Sequence, residues 1–448
     1  MERSLSPVTE QELLGIKHLL WGPDIKHEIF KRWSQGFYFS TNEKSALEQA
    51  EGGPCAIIAP MQAFILKKLL ADYNGLSFRY SITEEIQHTV LIHALCEILQ
   101  QCSTERYHII YLKNQDLERE SSSSVINGDT SKEEFNDNDL ATLNEIFDAD
   151  AKIFHDNLVV HMYPLIADVE KYYKENINSL KAQYGVLLFL YSVIATKGLE
   201  HVKMESGTND PLIDETYGYG SQNLINLMIT GKAVTYVWDN YQDVGGLKLK
   251  GLDKQSQIGF ITLMEHLRYC TVGSFYKNPI HPVWVLGSET HLTVLFSDER
   301  KLVSPETKSE EARRIFKSFD PDGNNFISSS SLQEVLAALD LVSDQEYVDI
   351  MKKKLDSENL GIILLNAFMD EFFPKEESSI PDMFQLIHYN GLARSNVNKE
   401  VQYHFGSAIL LESDLKSIND SDPMLTCLQT KWPNIEVQWC DNITPSLN

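Results

Sequence analysis

The sequence predicts an α+β fold with a large buried core, and three observations carry that reading. Apolar residues recur at helical spacing through the first half of the chain, while β-branched and aromatic runs gather at 283–286 (VWVL) and 291–296 (HLTVLF). The composition, 43% apolar and 10% aromatic, is that of a protein that buries its interior. At 448 residues, two or three domains are expected.

Taken in order, MERSLSPVTEQELLGIKHLLWG has charges throughout and no long apolar run, so it reads as a first helix, not as a signal peptide or hydrophobic anchor. Ser81 followed by Glu84 has the capping-box form, and Ile86, Val90, Leu91, Ala94, Leu95 and Ile98 continue at helical intervals. Residues 115–139 (with SSSS, NGDTSKEE and NDND) are too polar to bury surface and read as a loop or disordered insertion. Gly185–Ala195 is strongly apolar but far short of the roughly 20 residues a membrane helix requires, so it is expected to be a core helix, with no membrane partner. Residues 222–237 read as a helix ahead of a turn at Trp238-Asp239-Asn240. The two β runs are separated by Gly287 and Ser288, and further core strands are expected near 384–388 and 433–439.

Against 39 basic residues stand 64 acidic ones, a formal charge of −25 that argues against any action built on neutralising phosphates and so against nucleic acid as the main partner. Cysteines at 55, 96, 102, 270, 427 and 440 show no CxxC spacing. They are expected to be reduced thiols of an intracellular protein, in nucleus or cytoplasm, with no disulfide scaffold or structural zinc.

The stretch Gln49-Ala50-Glu51-Gly52-Gly53-Pro54-Cys55 ends in a tight turn, and Ile57, Ile58, Met61, Phe64, Ile65 and Leu69 then follow a helical period. Cys55 is thereby placed at a helix start, where the dipole and free amides favour the thiolate and the glycines leave room for a backbone-like substrate. The competing reading is a small buried residue. Pro60 fits the helix only if it begins slightly later than drawn. Of thirteen histidines, His291 has the best context for a base. A strand from Thr290 puts it on one face with Thr293 and Leu295, the arrangement of papain-like cysteine hydrolases, although an ordinary half-buried histidine has the same pattern. Gln49, six residues ahead of the thiol, offers an oxyanion donor or is a plain loop glutamine.

Residues 311–336 read helix, loop, helix. Asp320, Asp322 and Asn324 take the first ligand positions of an EF-hand loop and Ile327 the eighth, but Asn325 replaces the required glycine and Ser331 the closing glutamate. A second copy at Asp356 to Ala367 keeps Gly361 and Ile363 but offers Leu360 as a ligand and ends in alanine. The module is therefore expected to be structural or partner-binding, and calcium is not expected.

Five ordered blocks, GGPCAIIAPMQAFILKKLL, GYGSQNLINLMITGKA, GFITLMEHLRYCTVGSFYKNPIHPVWVLGSETHLTVLF, HYNGL and CLQTKWPNIEVQW, resemble the MINDY family of deubiquitinases, and within it the member carrying an EF-hand-like region. The resemblance implies a papain-like cysteine protease core that cleaves isopeptide bonds in polyubiquitin, with a preference for lysine-forty-eight-linked chains and no metal or cofactor. It implies Cys55 as nucleophile, His291 as general base and acid, and Gln49 as oxyanion donor. The group orienting His291 stays open between Thr293 and Asn390. The implied organisation is a catalytic core at 1–303 and 378–448 with an EF-hand-like insertion at 304–377. The rival reading is a catalytically silent ubiquitin-binding scaffold, which would need none of the three site residues.

Overall fold

The computed structural model describes residues 10–113, 151–305, 307–320, 323–375, 379–411 and 422–448. The polar insertion at 115–139, residues 1–9 and Asp322 lie outside the described residues. The fold is mixed helix and sheet, and it divides into two units, residues 1–299 with 383–448, and residues 300–382.

In the first unit, α1 (Glu10–Trp21) and α2 (His27–Trp33) lead into a short antiparallel pair, β1 (Tyr38–Phe39) and β2 (Leu47–Glu48). Next comes α3 (Cys55–Asp72), buried at every residue from Cys55 to Leu66 and apolar all round, as a helix surrounded by protein must be. α4 (Glu84–Cys102) packs beside it. Its cap is Thr83, whose Oγ1 accepts the Ile86 amide at 3.3 Å. The expected Ser81 box does not form because Ser81 ends the preceding 3-10 turn, its amide bound to the Phe78 carbonyl.

An antiparallel pair follows, β3 (Tyr107–Leu112) with β4 (Leu158–Tyr163), and then the helix Gly185–Lys197, buried at every residue. No single helix among the described residues is long and apolar enough to cross a membrane. The helix expected over 222–237 spans only Gln222–Thr230. Gly231 stops it in the left-handed conformation at φ 72°, and the Asn223 and Asn226 amides take the Ala233 and Val234 carbonyls, turning the chain back. A hairpin of β5 (Tyr241–Val244) and β6 (Leu247–Lys250) precedes the main sheet.

That sheet comprises β7 (Gly259–Thr262), β8 (Val283–Gly287), β9 (Leu292–Phe296) and three strands reached after β10 (Phe326–Ser328) and β11 (Ile362–Leu364) of the second unit. The three are β12 (Met383–Tyr389), β13 (Tyr403–Leu410) and β14 (Ile435–Trp439), in the order β14-β13-β12-β9-β8-β7, antiparallel except for β7 beside β8. Strands β7 and β13 were not expected from the sequence. The pairing that matters most sets Val294, Leu295 and Phe296 of β9 opposite Tyr389, His388 and Ile387 of β12. α3 lies against β8 and β9.

The second unit pairs β10 with β11 antiparallel among the helices Lys308–Ser318, Leu332–Ala338, Gln345–Leu355 and Leu365–Phe372, around a core of Phe316, Ile327, Leu336, Ile363 and Phe368. Thr307 and Glu310 form a capping box at its first helix.

One polar side chain ties the core of the first unit to the segment that leads to Cys55. Gln62, fully buried on α3, accepts the Leu47 amide at 2.7 Å and donates to the Ser45 carbonyl at 3.0 Å and the Tyr403 hydroxyl at 3.3 Å. Removing it strands the Leu47 amide and the Ser45 carbonyl away from water, while the Tyr403 hydroxyl keeps Ser45 Oγ at 3.0 Å. Gln62→Ala is expected to cost about 3 kcal/mol in urea unfolding, and a loss under roughly 0.5 kcal/mol would contradict the assignment.

Candidate active site

Cys55 is the first residue of α3, and the Ile57 and Ile58 amides already bond to the Pro54 carbonyl. The helix therefore starts where drawn, with Pro60 inside it, so the complication Pro60 posed does not delay the start. Gly53 precedes it at φ 137°, a conformation closed to other residues, and a Cβ there would meet Trp33 Nε1 at 3.0 Å.

The thiol is 3% exposed, with Sγ 3.7 Å from the Gly53 carbonyl and within reach of the backbone amides of Leu292, Ala56 and Cys55 itself. Burial pushes its pKa up to about 11, and those amides only moderate the rise. The expected ease of ionisation at a helix start is thus corrected. Desolvation of a charge outweighs the hydrogen bonds from the three amides. The open, glycine-rich approach is corrected too, since the sulfur is covered.

His291 lies one residue before β9, not inside it, and is 5% exposed. Its Nε2 is 2.9 Å from Asn390 Oδ1. Asn390 follows β12 directly, so the β9–β12 register brings the two together. The orientation of the carboxamide is over-determined. Oδ1 also accepts the Leu392 amide at 3.0 Å, and Nδ2 donates to the main-chain oxygens of Ser446 at 3.2 Å and Asn448 at 3.3 Å. With Oδ1 facing the ring, Nε2 carries the hydrogen and the neutral imidazole keeps its basic lone pair at Nδ1. Burial lowers the pKa of His291 to about 4, opposed by the Asn390 bond and aided by the Arg394 charge. Thr293, the other candidate partner, is instead 2.9 Å from Nε2 of the fully buried His388.

Gln49 is 2% exposed. Its backbone amide donates to the Gly391 carbonyl at 2.8 Å in a parallel bridge with Leu392, which joins the loop before Cys55 to the segment carrying Asn390. Its Nε2 donates to the Glu51 carbonyl at 2.7 Å, using one of two N–H bonds. All six cysteines are free thiols, and no cluster of three His, Cys, Asp or Glu able to hold a metal occurs among the described residues. Asn390 stood only as one of two options in the sequence, and nothing there pointed to Ser446 or Asn448, whose main-chain oxygens are invisible to residue type.

A thiol at a helix start, an imidazole held through Nε2 by a carboxamide, and a second side-chain amide six residues before the thiol are the parts of a cysteine-type hydrolase. Residues 17–317 match the family described as "Deubiquitinating enzyme MINDY-3/4, conserved domain". The Drosophila melanogaster "Ubiquitin carboxyl-terminal hydrolase MINDY-3 homolog" is 54% identical over 99% of this chain and 84% of its own length. Human "Ubiquitin carboxyl-terminal hydrolase MINDY-3" is 45% identical over 97% of this chain and 98% of its own. Bovine "Probable ubiquitin carboxyl-terminal hydrolase MINDY-4" is 28% identical over 71% of this chain and 39% of its own. No solved structure gives a significant match. The chain belongs to the MINDY-3/4 family of deubiquitinating enzymes.

The raised thiol pKa sets a pH dependence for the free enzyme. An acid whose pKa is raised stays protonated to higher pH, so Cys55 is a neutral thiol through the neutral range. At pH 7 its alkylation by iodoacetamide should run roughly 100-fold below that of a free thiol of pKa about 8.5, and the rate should still be climbing at about pH 9. Mass spectrometry of the Cys55 peptide reads this, and fast labelling at neutral pH would show the thiolate to be the resting state.

Proposed function

We propose that this chain cleaves isopeptide bonds in polyubiquitin through a papain-like site, with Cys55 as nucleophile, His291 as base and then acid, Asn390 orienting the imidazole, and Gln49 with the Cys55 amide binding the oxyanion. The observation that carries this reading is the 2.9 Å contact of His291 Nε2 with Asn390 Oδ1, beside a thiol hydrogen-bonded by the next residue's amide. In the reaction, His291 Nδ1 takes the Cys55 proton and the thiolate attacks the carbonyl carbon of ubiquitin's terminal glycine. The oxyanion collapses as His291 protonates the departing lysine amine, leaving a thioester. His291 then deprotonates water, which attacks the thioester, and the proton returns to Cys55 as ubiquitin leaves. Since the thiol is covered and the Gln49 amide is on the Glu51 carbonyl, substrate binding has to shift residues 50–54 before attack.

Lysine-forty-eight-linked chains are the proposed substrate, on the strength of the family resemblance, and the six free thiols support work inside the cell, in nucleus or cytoplasm. A ubiquitin with a C-terminal electrophile should label Cys55 and no other cysteine, and a panel of differently linked diubiquitins should be cut preferentially at lysine-forty-eight linkage. Cys55→Ala should abolish cleavage, His291→Ala should lower turnover by roughly 10²–10⁴-fold, and Gln49→Ala should lower it by about 10²-fold mainly in kcat. Chains bound but never cut by the unaltered protein would favour the silent scaffold.

The second unit we read as EF-hand-like and structural. In its two loops the first aspartates serve the loop itself: Asp320 accepts the Asn324 and Asn325 amides at 3.0 and 2.6 Å, and Asp356 the Leu360 and Gly361 amides, both at 2.7 Å. Ser331 and Ala367 stand where a bidentate glutamate would close a calcium site. Calcium should bind the full chain more weakly than about 10⁻⁵ M by titration calorimetry, and chelator-sensitive cleavage would overturn this reading.

A further inference from the structure

The residues that hold His291 form a closed ring of hydrogen bonds, and Asn448 closes it. On the main-chain side, the His291 amide donates to Ser288 Oγ at 3.0 Å, and the Thr290 amide joins it at 3.3 Å. The Ser288 hydroxyl in turn donates to Asn448 Oδ1 at 2.6 Å, which also takes Thr290 Oγ1 at 3.3 Å. On the side-chain side, His291 Nε2 bonds to Asn390 Oδ1, and Asn390 Nδ2 returns to the main-chain oxygens of Ser446 and Asn448. The 446–448 segment is itself shaped, with Ser446 Oγ donating to the Asn448 main-chain oxygen at 2.9 Å and accepting its amide at 3.0 Å, while Leu447 is buried.

We propose that Asn448 is a positioning residue for the reaction, referring both the backbone and the ring of His291 to one point. The proposal rests on the reading of His291 and Asn390 given above. Its chemical content is the orientation of the Asn390 carboxamide. The oxygens at 446 and 448 can only accept, so they hold Nδ2 away from the imidazole and Oδ1 toward it. Turned by 180°, the carboxamide would offer an N–H to Nε2, favour hydrogen on Nδ1, and remove the lone pair that takes the Cys55 proton. Asn448 is exposed, so altering its side chain opens no cavity.

The test uses the full chain carrying Asn448→Ala or Asn448→Asp, and a form shortened to Pro445, with kcat and KM measured on a ubiquitin amide and the His291 ring nitrogens followed by NMR. Asn448→Ala should lower kcat by about 10-fold and the shortened form by about 10²-fold, with KM held within roughly twofold. Asn448→Asp keeps the acceptor oxygen and should recover most of the loss. His291 should carry hydrogen on Nε2 in the unaltered protein and sample the Nδ1 tautomer in the shortened form. Unaltered kcat in Asn448→Ala or in the shortened form, or equal loss in Asn448→Ala and Asn448→Asp, overturns the proposal. If the shortened form does not fold, the alanine and aspartate pair decides alone. A dead His291→Ala beside a fully active Asn448→Ala removes only this inference, whereas turnover surviving in His291→Ala removes the active-site reading and this inference with it.

Discussion

The register between β9 and β12 is the constraint on which the site depends. These strands flank the second unit in sequence, yet pair so that Leu295 faces His388 and Val294 faces Tyr389. That single alignment sets Asn390, just past one strand, against His291, just ahead of the other. A slip of one residue would send every side chain of β12 to the opposite face of the sheet and part the two groups. Burial on both faces resists such a slip, since all of β9 and the last four residues of β12 are buried.

A second constraint is the conflict between enclosing the site and ionising it. α3 delivers Cys55 to the sheet with its dipole and amides in place, but the same packing removes the water that would stabilise a thiolate. His291, buried by the same elements, is held neutral. The free protein therefore carries both groups uncharged, and in the proposed reaction the proton transfer between them depends on a change of surroundings. The Gln49 bond to Glu51 follows the same logic, a polar donor satisfied internally while the site is closed.

Much of this was legible in the residues. Cys55 at a helix start, Gln49 six positions earlier and the two β runs around Gly287 were readable because each is a local pattern of turn residues and apolar spacing. Local signals also misled where tertiary contacts compete. Residues 231–237 have helical spacing, but Gly231 and the Asn223 and Asn226 side chains reward a reversal instead. Ser81 has the right spacing for a cap, yet Thr83 takes the role once the preceding turn uses Ser81. β13 was missed because His404, Gly406 and Ser407 dilute its pattern, and only pairing with β12 and β14 makes it a strand.

By itself the sequence determined the α+β class, the place of the Cys55 thiol at the head of a helix and the family, because these reside in residue type and short-range spacing. Tertiary structure alone decided that Asn390 and not Thr293 holds His291, that the Cys55 thiol rests protonated, and that residues 446–448 back the site. Strand register, desolvation and main-chain acceptors are properties of what folding brings near, and no spacing along the chain encodes them.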